Sequence, residues 1–155
     1  METSINQTSA PDLASYLRES FGLPQADLRS YSPLTLAYIG DDVFDLIMRT
    51  MLVERGNAPV NQLNKKASKL VNAVTQCKMM AVIEPMLTEE EHGVFKRGRN
   101  AKSYTSAKNA PIQDYRTATG LEALCGYLYL DGRLERVVEL LKAGLAGVKS
   151  GEGAK

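Results

Sequence analysis

The sequence of 155 residues has little of the chemistry on which many enzymes depend. Its single histidine, His92, follows three glutamates and has no plausible nucleophile partner. Its two cysteines, Cys77 and Cys125, stand in apolar stretches without the spacing of a zinc site or a disulfide framework. A glycine-rich phosphate loop is missing too. These absences exclude triad hydrolases, zinc modules and P-loop proteins, and they favour two buried, reduced thiols.

Long apolar runs and an excess of either charge are also missing. No run approaches the roughly 18 residues that span a membrane, and the first thirty residues carry acids and lack a signal-peptide core. We therefore expect no membrane partner and a cytoplasmic location. The 19 basic and 18 acidic residues give a net charge of +1. A nucleic-acid-binding protein of this composition must concentrate its basic residues locally.

What is present is helical periodicity. No segment alternates as a strand does, so we predict an all-α fold. Ser32 and Pro33 are typical of a helix start, and Thr88 caps a later helix. We expect an N-terminal extension with a short helix over 1–31, one domain over 32–147 and a flexible tail over 148–155. The predicted helices span about 11–20, 32–54, 60–76, 78–84, 88–95, 114–130 and 134–146.

A basic segment follows the helix that Thr88 caps. Residues 96–113 contain five basic residues and no acid, and we predict a loop with a local positive field. Such a loop could bind RNA phosphates, or it could be a solvated loop without a function. Its basic residues are Lys96, Arg97, Arg99, Lys102 and Lys108.

Two carboxylates interrupt otherwise apolar helices. Glu122 is the only charged residue within 117–130. Asp41 follows an uncharged stretch and points away from the apolar stripe of its helix, which we predict to contain Leu36, Ile39, Val43, Leu46 and Ile47. A buried carboxylate must meet a cation, hydrogen-bond donors or a metal.

Two explanations for these acids remain open. Glu122 could form a structural ion pair with Arg49 or Arg116. Alternatively, Glu122 and Asp41 could converge on a magnesium ion, which favours a few carboxylates and several retained waters. Asp45, one turn after Asp41, either adds negative charge to that site or faces water. The second explanation favours metal-assisted hydrolysis of a phosphodiester.

The segments around both acids resemble the ribonuclease III family. Residues 36–46, Leu-Ala-Tyr-Ile-Gly-Asp-Asp-Val-Phe-Asp-Leu, are similar to the family's signature helix, Leu-Glu-Phe-Leu-Gly-Asp-Ala-Val. Residues 119–132 contain Glu-Ala-Leu and a hydrophobic run, as in the second motif, Asp-x-x-Glu-Ala-Leu. The order and separation of the two motifs also match, and the resemblance covers about 32–146.

The departures from the family pattern indicate a branch. The full-length enzymes have four carboxylates, whereas here Ala37 and Thr119 replace two of them and only Asp41 and Glu122 remain. This reduced set is similar to the Mini branch of the family, which lacks the usual double-stranded RNA-binding domain. Asp42 is off pattern, because the signature has alanine there.

The resemblance implies a helical bundle that forms a homodimer and cuts double-stranded RNA, leaving 5′-phosphate and 3′-hydroxyl ends. Asp41 and Glu122 would bind Mg²⁺, with Mn²⁺ as an alternative and with Thr119 and Asp45 as candidates for further support of the metal shell. The implied substrate is the large-subunit ribosomal RNA precursor, held by the basic loop. We also expect Gly120 and Gly126 to allow close helix packing near the dimer interface.

Two other functions are compatible with parts of the sequence. A catalytically inactive member of the family could bind RNA or assist ribosome assembly, since two of the four acids are missing. A plain helical dimerisation scaffold explains neither the two isolated acids nor the basic segment.

Overall fold

The computed structural model describes residues 12–101 and 111–153. Within these ranges the chain forms seven α-helices, two short 3₁₀ turns and no strand, so the all-α prediction is confirmed. No described helix has the length and apolar content needed to cross a membrane. The helices are α1 (Leu13–Phe21), α2 (Pro33–Glu54), α3 (Val60–Leu70), α4 (Ala73–Ile83), α5 (Glu89–Asn100), α6 (Ile112–Leu130) and α7 (Leu134–Gly153).

Helices α2 and α6 form the centre of the bundle and pack more extensively with each other than any other pair. Helix α2 begins as predicted: Pro33 occupies its first position and the Ser32 hydroxyl accepts a hydrogen bond from the Leu34 backbone N–H at 3.2 Å. Burial of apolar side chains from both helices then provides most of the free energy that joins them. Fully buried members of this core are Phe44, Met48, Leu121, Leu124 and Leu128.

Two glycines let α2 and α6 meet backbone to backbone. A Cβ atom added to Gly40 would lie 1.6 Å from the carbonyl oxygen of Glu122. One added to Gly126 would lie 2.0 Å from the carbonyl oxygen of Leu36. No side chain fits at either position, so the glycines determine how closely the helices approach. Since 36–40 and 122–126 are each one turn, the two helices run antiparallel at this contact.

A second close contact joins α5 to α6. A Cβ on Gly98 would lie 2.7 Å from the Cβ of Ala123, and one on Gly120 would lie 2.7 Å from the ring of Phe95. Gly120 and Gly126 are therefore both buried against helices of the same chain. The expected close helix packing at both glycines is confirmed, whereas their proximity to a dimer interface stays a prediction.

The helix predicted over 60–76 is interrupted. Helix α3 ends at Leu70 and α4 begins at Ala73, because Asn72 acts as a helix cap. Its Oδ1 accepts a hydrogen bond from the Thr75 N–H at 2.8 Å. Its amide donates to the carbonyl oxygen of Ser68 at 2.9 Å, which ties the cap to the preceding helix. The break turns Val74, predicted to face inward, toward solvent with 37% exposure.

Three other expectations are corrected. Helix α5 continues to Asn100, so the basic segment does not begin as a loop at residue 96. Helix α7 continues to Gly153, beyond the predicted end at 146. Leu46, assigned to the core stripe, is 61% exposed, because the core face of α2 is rotated toward Phe44 and Met48.

We predict that Gly40→Ala destabilises the protein by about 3 kcal/mol or more, because its methyl group would overlap the backbone of α6. Urea unfolding measures this change. The matched control is Gly93→Ala in α5, where the nearest atom to an added Cβ is 3.7 Å away. We expect Gly93→Ala to raise stability by about 0.5–1 kcal/mol. Equal effects of the two substitutions would contradict the backbone contact.

Candidate active site

Asp41 and Glu122 lie side by side because their helices touch. Asp41 follows Gly40 directly on α2, and Glu122 is the residue of α6 whose carbonyl faces that glycine. Their carboxyl groups are within hydrogen-bonding reach and repel each other when both are charged. Asp41 is exposed and Glu122 is half-buried. The structure therefore brings the two predicted acids together at the edge of the core, with one side open to solvent.

Within the described ranges no arginine or lysine forms an ion pair with Glu122, so the alternative of an ion pair to Arg49 or Arg116 is not supported. Burial and the Asp41 carboxylate raise the pKa of Glu122 from 4.5 to about 8. The amide of Gln76 donates a hydrogen bond to its Oε2 at 3.4 Å and partly opposes this rise.

Asp45 and Thr119, the two candidates for supporting a metal shell, are engaged within their own helices. Asp45 forms an ion pair with Nε of Arg49 at 3.0 Å, one turn along α2. The Thr119 hydroxyl donates to the carbonyl oxygen of Tyr115 at 3.0 Å, one turn back along α6. Their contribution to metal binding therefore stays a prediction.

Glu91 is a buried carboxylate with a structural role, and its environment can be compared with that of Glu122. Glu91 is only 1% exposed, and Arg136 contacts both of its oxygens, through Nε at 2.8 Å and through a terminal nitrogen at 2.9 Å. Its Oε1 also accepts a hydrogen bond from the Thr88 N–H at 2.9 Å. The hydrogen bond from the Arg136 guanidinium lowers the pKa of Glu91 despite burial. Glu122 has no arginine or lysine partner among the residues that the structure describes, and its pKa moves the opposite way.

The Asp41–Glu122 pair has the chemistry of a site for a hard divalent cation. Its donors are carboxylate oxygens, one side is open to water, and no arginine or lysine of residues 12–101 and 111–153 forms an ion pair with it. No group of three or more histidine, cysteine, aspartate or glutamate side chains in the described residues could hold a metal ion. The protein would thus supply two carboxylates and leave the other positions to water and substrate oxygens, which Mg²⁺ favours.

Comparison with known proteins identifies the family. The sequence pattern of the ribonuclease III domain matches residues 34–133. The chain belongs to the ribonuclease III family. It is similar to a Mini-ribonuclease 3 of Clostridium tetani, with 48% identity over 128 residues that cover 82% of this chain and 83% of that protein. A Mini-ribonuclease 3 of Brevibacillus brevis is 48% identical over 118 residues, covering 76% and 88%.

A solved structure shares the fold. The crystal structure of a Fusobacterium nucleatum protein superimposes with a TM-score of 0.70 and 31% identity, covering 78% of this chain and 97% of that one. The resemblance inferred from the two motifs is confirmed, and so is the expectation of a ribonuclease III-family endoribonuclease.

The basic residues predicted to hold RNA are divided by the helix boundary. Lys96 and Arg97 are exposed on the last turns of α5, and Arg99 lies 5.3 Å from the centre of the Phe95 ring. Lys102 and Lys108 lie outside the described residues. Because Gly98 packs against Ala123, the basic end of α5 lies beside the segment of α6 that carries Glu122.

Three features of the site escaped the sequence reading. Gly40 has no special role in the predicted helix over 32–54, yet it determines the helix contact. Gln76 was treated as the end of a helix, although it reaches Glu122. Residues 55–83 contain no acid and a second set of basic residues, which the same charge count could have found; they are Arg55, Lys65, Lys66, Lys69 and Lys78.

The metal-free protein should lose stability as the pH rises. Glu122 ionises near pH 4.5 in the unfolded chain but near pH 8 in the fold. Its contribution is therefore fully present below about pH 4.5 and lost by about pH 8, a difference of about 3 kcal/mol after allowance for partial exposure. Urea unfolding in EDTA measures the loss, and Glu122→Gln should remove it.

The matched control for this pH experiment is Glu91→Gln. Because that substitution leaves Arg136 without its buried partner, we expect lower stability at every pH above about 4.5, by about 3 kcal/mol. A constant stability difference between the parent and Glu122→Gln across pH 4–9 would show that Glu122 does not repel Asp41.

Proposed function

We propose that this chain is a magnesium-dependent endoribonuclease that cleaves double-stranded RNA, with Asp41 and Glu122 as its catalytic carboxylates. The observation that carries the proposal is the contact between two carboxyl groups on separate core helices, with no ion pair to an arginine or lysine in the described part of the chain. Such an arrangement is unfavourable in an apolar interior and becomes favourable once a cation lies between the acids. The family and its Mini-ribonuclease 3 relatives support the same activity.

Asp41 and Glu122 would hold the cation, with Mn²⁺ as an alternative to Mg²⁺. When bound, such an ion polarises a phosphodiester and lowers the pKa of a bound water. The exposed side of Asp41 would give RNA access to the pair. Hydrolysis adds water across the phosphodiester, breaks the bond to the 3′-oxygen and leaves 5′-phosphate and 3′-hydroxyl ends.

We assign binding of the duplex to the basic residues of two segments, each of which leads to a residue that packs at or near Glu122. Lys96, Arg97 and Arg99 lie on the end of α5 that packs beside Glu122, and Lys102 and Lys108 follow along the chain. The acid-free segment 55–83 leads into α4, whose Gln76 contacts Glu122. Duplex RNA is recognised mainly through phosphates and 2′-hydroxyls, which suits lysine and arginine.

A homodimer would supply the two sites needed to cut both strands. The solvent-facing side of α2, which also bears Asp41, exposes several large apolar side chains among charged ones. Tyr38 is 81% exposed, and Leu34, Leu46 and Val53 lie on the same face. Apolar area of this kind on a helix favours a protein partner, and a second copy of the chain is the partner we propose.

The proposed natural substrate is the large-subunit ribosomal RNA precursor in the cytoplasm. The motif resemblance supports this substrate, and the two free cysteines agree with a reducing compartment.

The direct test is cleavage of a long RNA duplex with Mg²⁺, with Mn²⁺ and with EDTA. We expect metal-dependent products from the parent and a loss of about 10³-fold or more in Asp41→Asn and Glu122→Gln, since each removes half of the carboxylate ligands. Asp42→Asn is the matched control, because Asp42 is the exposed neighbour of Asp41 and we expect nearly full activity. Sedimentation velocity of the same samples tests the dimer.

An inactive parent that binds duplex RNA with every metal tried would overturn this function in favour of the RNA-binding alternative. Cleavage that survives in both carboxylate variants would instead remove Asp41 and Glu122 from the site. A monomer at the assay concentration would contradict the dimer alone.

We further predict that Lys96→Ala/Arg97→Ala weakens duplex binding in EDTA and lowers the slope of log affinity against log salt by about 1–2, because up to two phosphate contacts are lost. Binding at several salt concentrations measures the slope. Lys65→Ala/Lys69→Ala tests the 55–83 segment in the same way. Arg29→Ala removes an exposed cation outside both segments and should leave the slope unchanged. An unchanged slope for both double variants would contradict these surfaces.

A further inference from the structure

Gln76 is the one uncharged polar side chain among the described residues that is fully buried, with 3% exposure. It lies on the core-facing stripe of α4, where the positions one and two turns later are Met79, Met80 and Ile83. A buried amide is unfavourable unless it is hydrogen-bonded, so an apolar side chain would serve the core better at this position. The amide itself therefore needs an explanation.

The hydrogen bond of Gln76 points to that explanation. Its Nε2 donates to Oε2 of Glu122 at 3.4 Å, and this is the only donor contact that the described structure gives to that carboxylate. Asp41, the other neighbour of the carboxylate, repels it when both acids are charged. Without the amide, the Glu122 side chain would be free to rotate away from Asp41.

The neutrality of this donor matters as much as its position. Arg136, a cationic donor, holds Glu91 through two oxygens and cancels its charge. A cation in the place of Gln76 would orient Glu122 equally well, but it would compensate the negative charge that attracts a divalent ion. An amide fixes the orientation and leaves that charge intact.

The break between α3 and α4 fixes the position of Gln76. Asn72 caps α4 by accepting from the Thr75 N–H at 2.8 Å, and the Thr75 hydroxyl donates to the carbonyl oxygen of Lys69 at 2.7 Å. These bonds define the first turn of α4, which carries Gln76. A continuous helix over 60–76 would present this residue in a different direction, because each residue adds about 100° of rotation.

We propose that Gln76 is a positioning residue: its amide holds the Glu122 carboxylate toward Asp41, in the orientation that binds a divalent cation, without neutralising the pair. The inference rests on the proposed metal-dependent function. Residues that orient metal ligands through hydrogen bonds typically alter metal affinity or activity by about 10–100-fold when replaced.

The test is Mn²⁺ binding, measured by calorimetry or by the EPR signal of free Mn²⁺, in the full chain without RNA. Gln76→Met keeps the length and packing of the side chain but removes the donor, and we expect about 10–100-fold weaker binding. RNA cleavage by this variant should recover at high metal concentration with an unchanged KM for RNA. Gln76→Lys should weaken Mn²⁺ binding by at least about 100-fold, because the new ammonium group pairs with Asp41 and Glu122 and compensates their charge. For the same reason this variant should keep the metal-free stability of the parent at pH 8.

The outcomes separate this inference from the proposed function. No Mn²⁺ binding by the parent would overturn the metal-dependent function itself. Binding by the parent and equal binding by Gln76→Met would overturn the positioning role and leave the function standing. Cleavage by Gln76→Met that high metal does not restore would also overturn it, in favour of a packing role. Gln62→Met, an exposed glutamine on α3, is the matched control and should bind Mn²⁺ as the parent does.

Discussion

The backbone contact between α2 and α6 is the constraint on which the rest of this structure depends. Gly40 and Gly126 remove two side chains at the crossing, so the helices approach until the carbonyl oxygens of Glu122 and Leu36 face them. This approach forces the Asp41 and Glu122 side chains together, whatever their mutual repulsion. Packing of the surrounding apolar side chains supplies the free energy that holds them there. The active-site geometry is therefore a consequence of the core and is maintained by it.

Glu91, which is buried, and Glu122, which is half-buried, have opposite electrostatic environments. Glu91 is neutralised by Arg136, and the pair connects the start of α5 to the first turn of α7. Among the described residues, the polar neighbours of the Glu122 carboxyl group are the neutral amide of Gln76 and the acid Asp41, so Glu122 makes the metal-free fold less stable when it is charged. The free energy gained when a cation binds is largest at a site whose charges are unfavourable in the absence of that cation. This difference distinguishes the proposed catalytic acid from the structural one.

A chain of nearly neutral net charge can still have a polarised surface. The 19 basic and 18 acidic residues nearly cancel in the total, but residues 55–83 contain basic residues and no acid, and the basic end of α5 packs beside the segment of α6 that carries Glu122. In the proposed function, these cations would bind the phosphates of a duplex, and the carboxylate pair would hold the divalent ion. For binding of an RNA duplex, the proposed substrate, the local arrangement of charged residues matters more than the net charge of the chain.

Much of this molecule could be predicted without coordinates. Helical periodicity predicted the all-α fold, Ser32 and Thr88 marked helix starts correctly, and the two isolated acids pointed to one site because charge in an apolar helix is unfavourable. Local residue patterns carry these features, since capping and amphipathicity depend on neighbours in the chain.

The remaining features depended on neighbours far away in the chain. Asn72 divides one predicted helix in two, and that break directs Gln76 to Glu122, a partner 46 positions distant. Gly120 and Gly126 could be recognised as sites of close packing, but only the folded chain shows that their neighbours are intramolecular. The sequence by itself determined which residues are helical and which acids are anomalous. Only the tertiary structure decided which side chains face those acids, because long-range packing selects partners that no local pattern specifies.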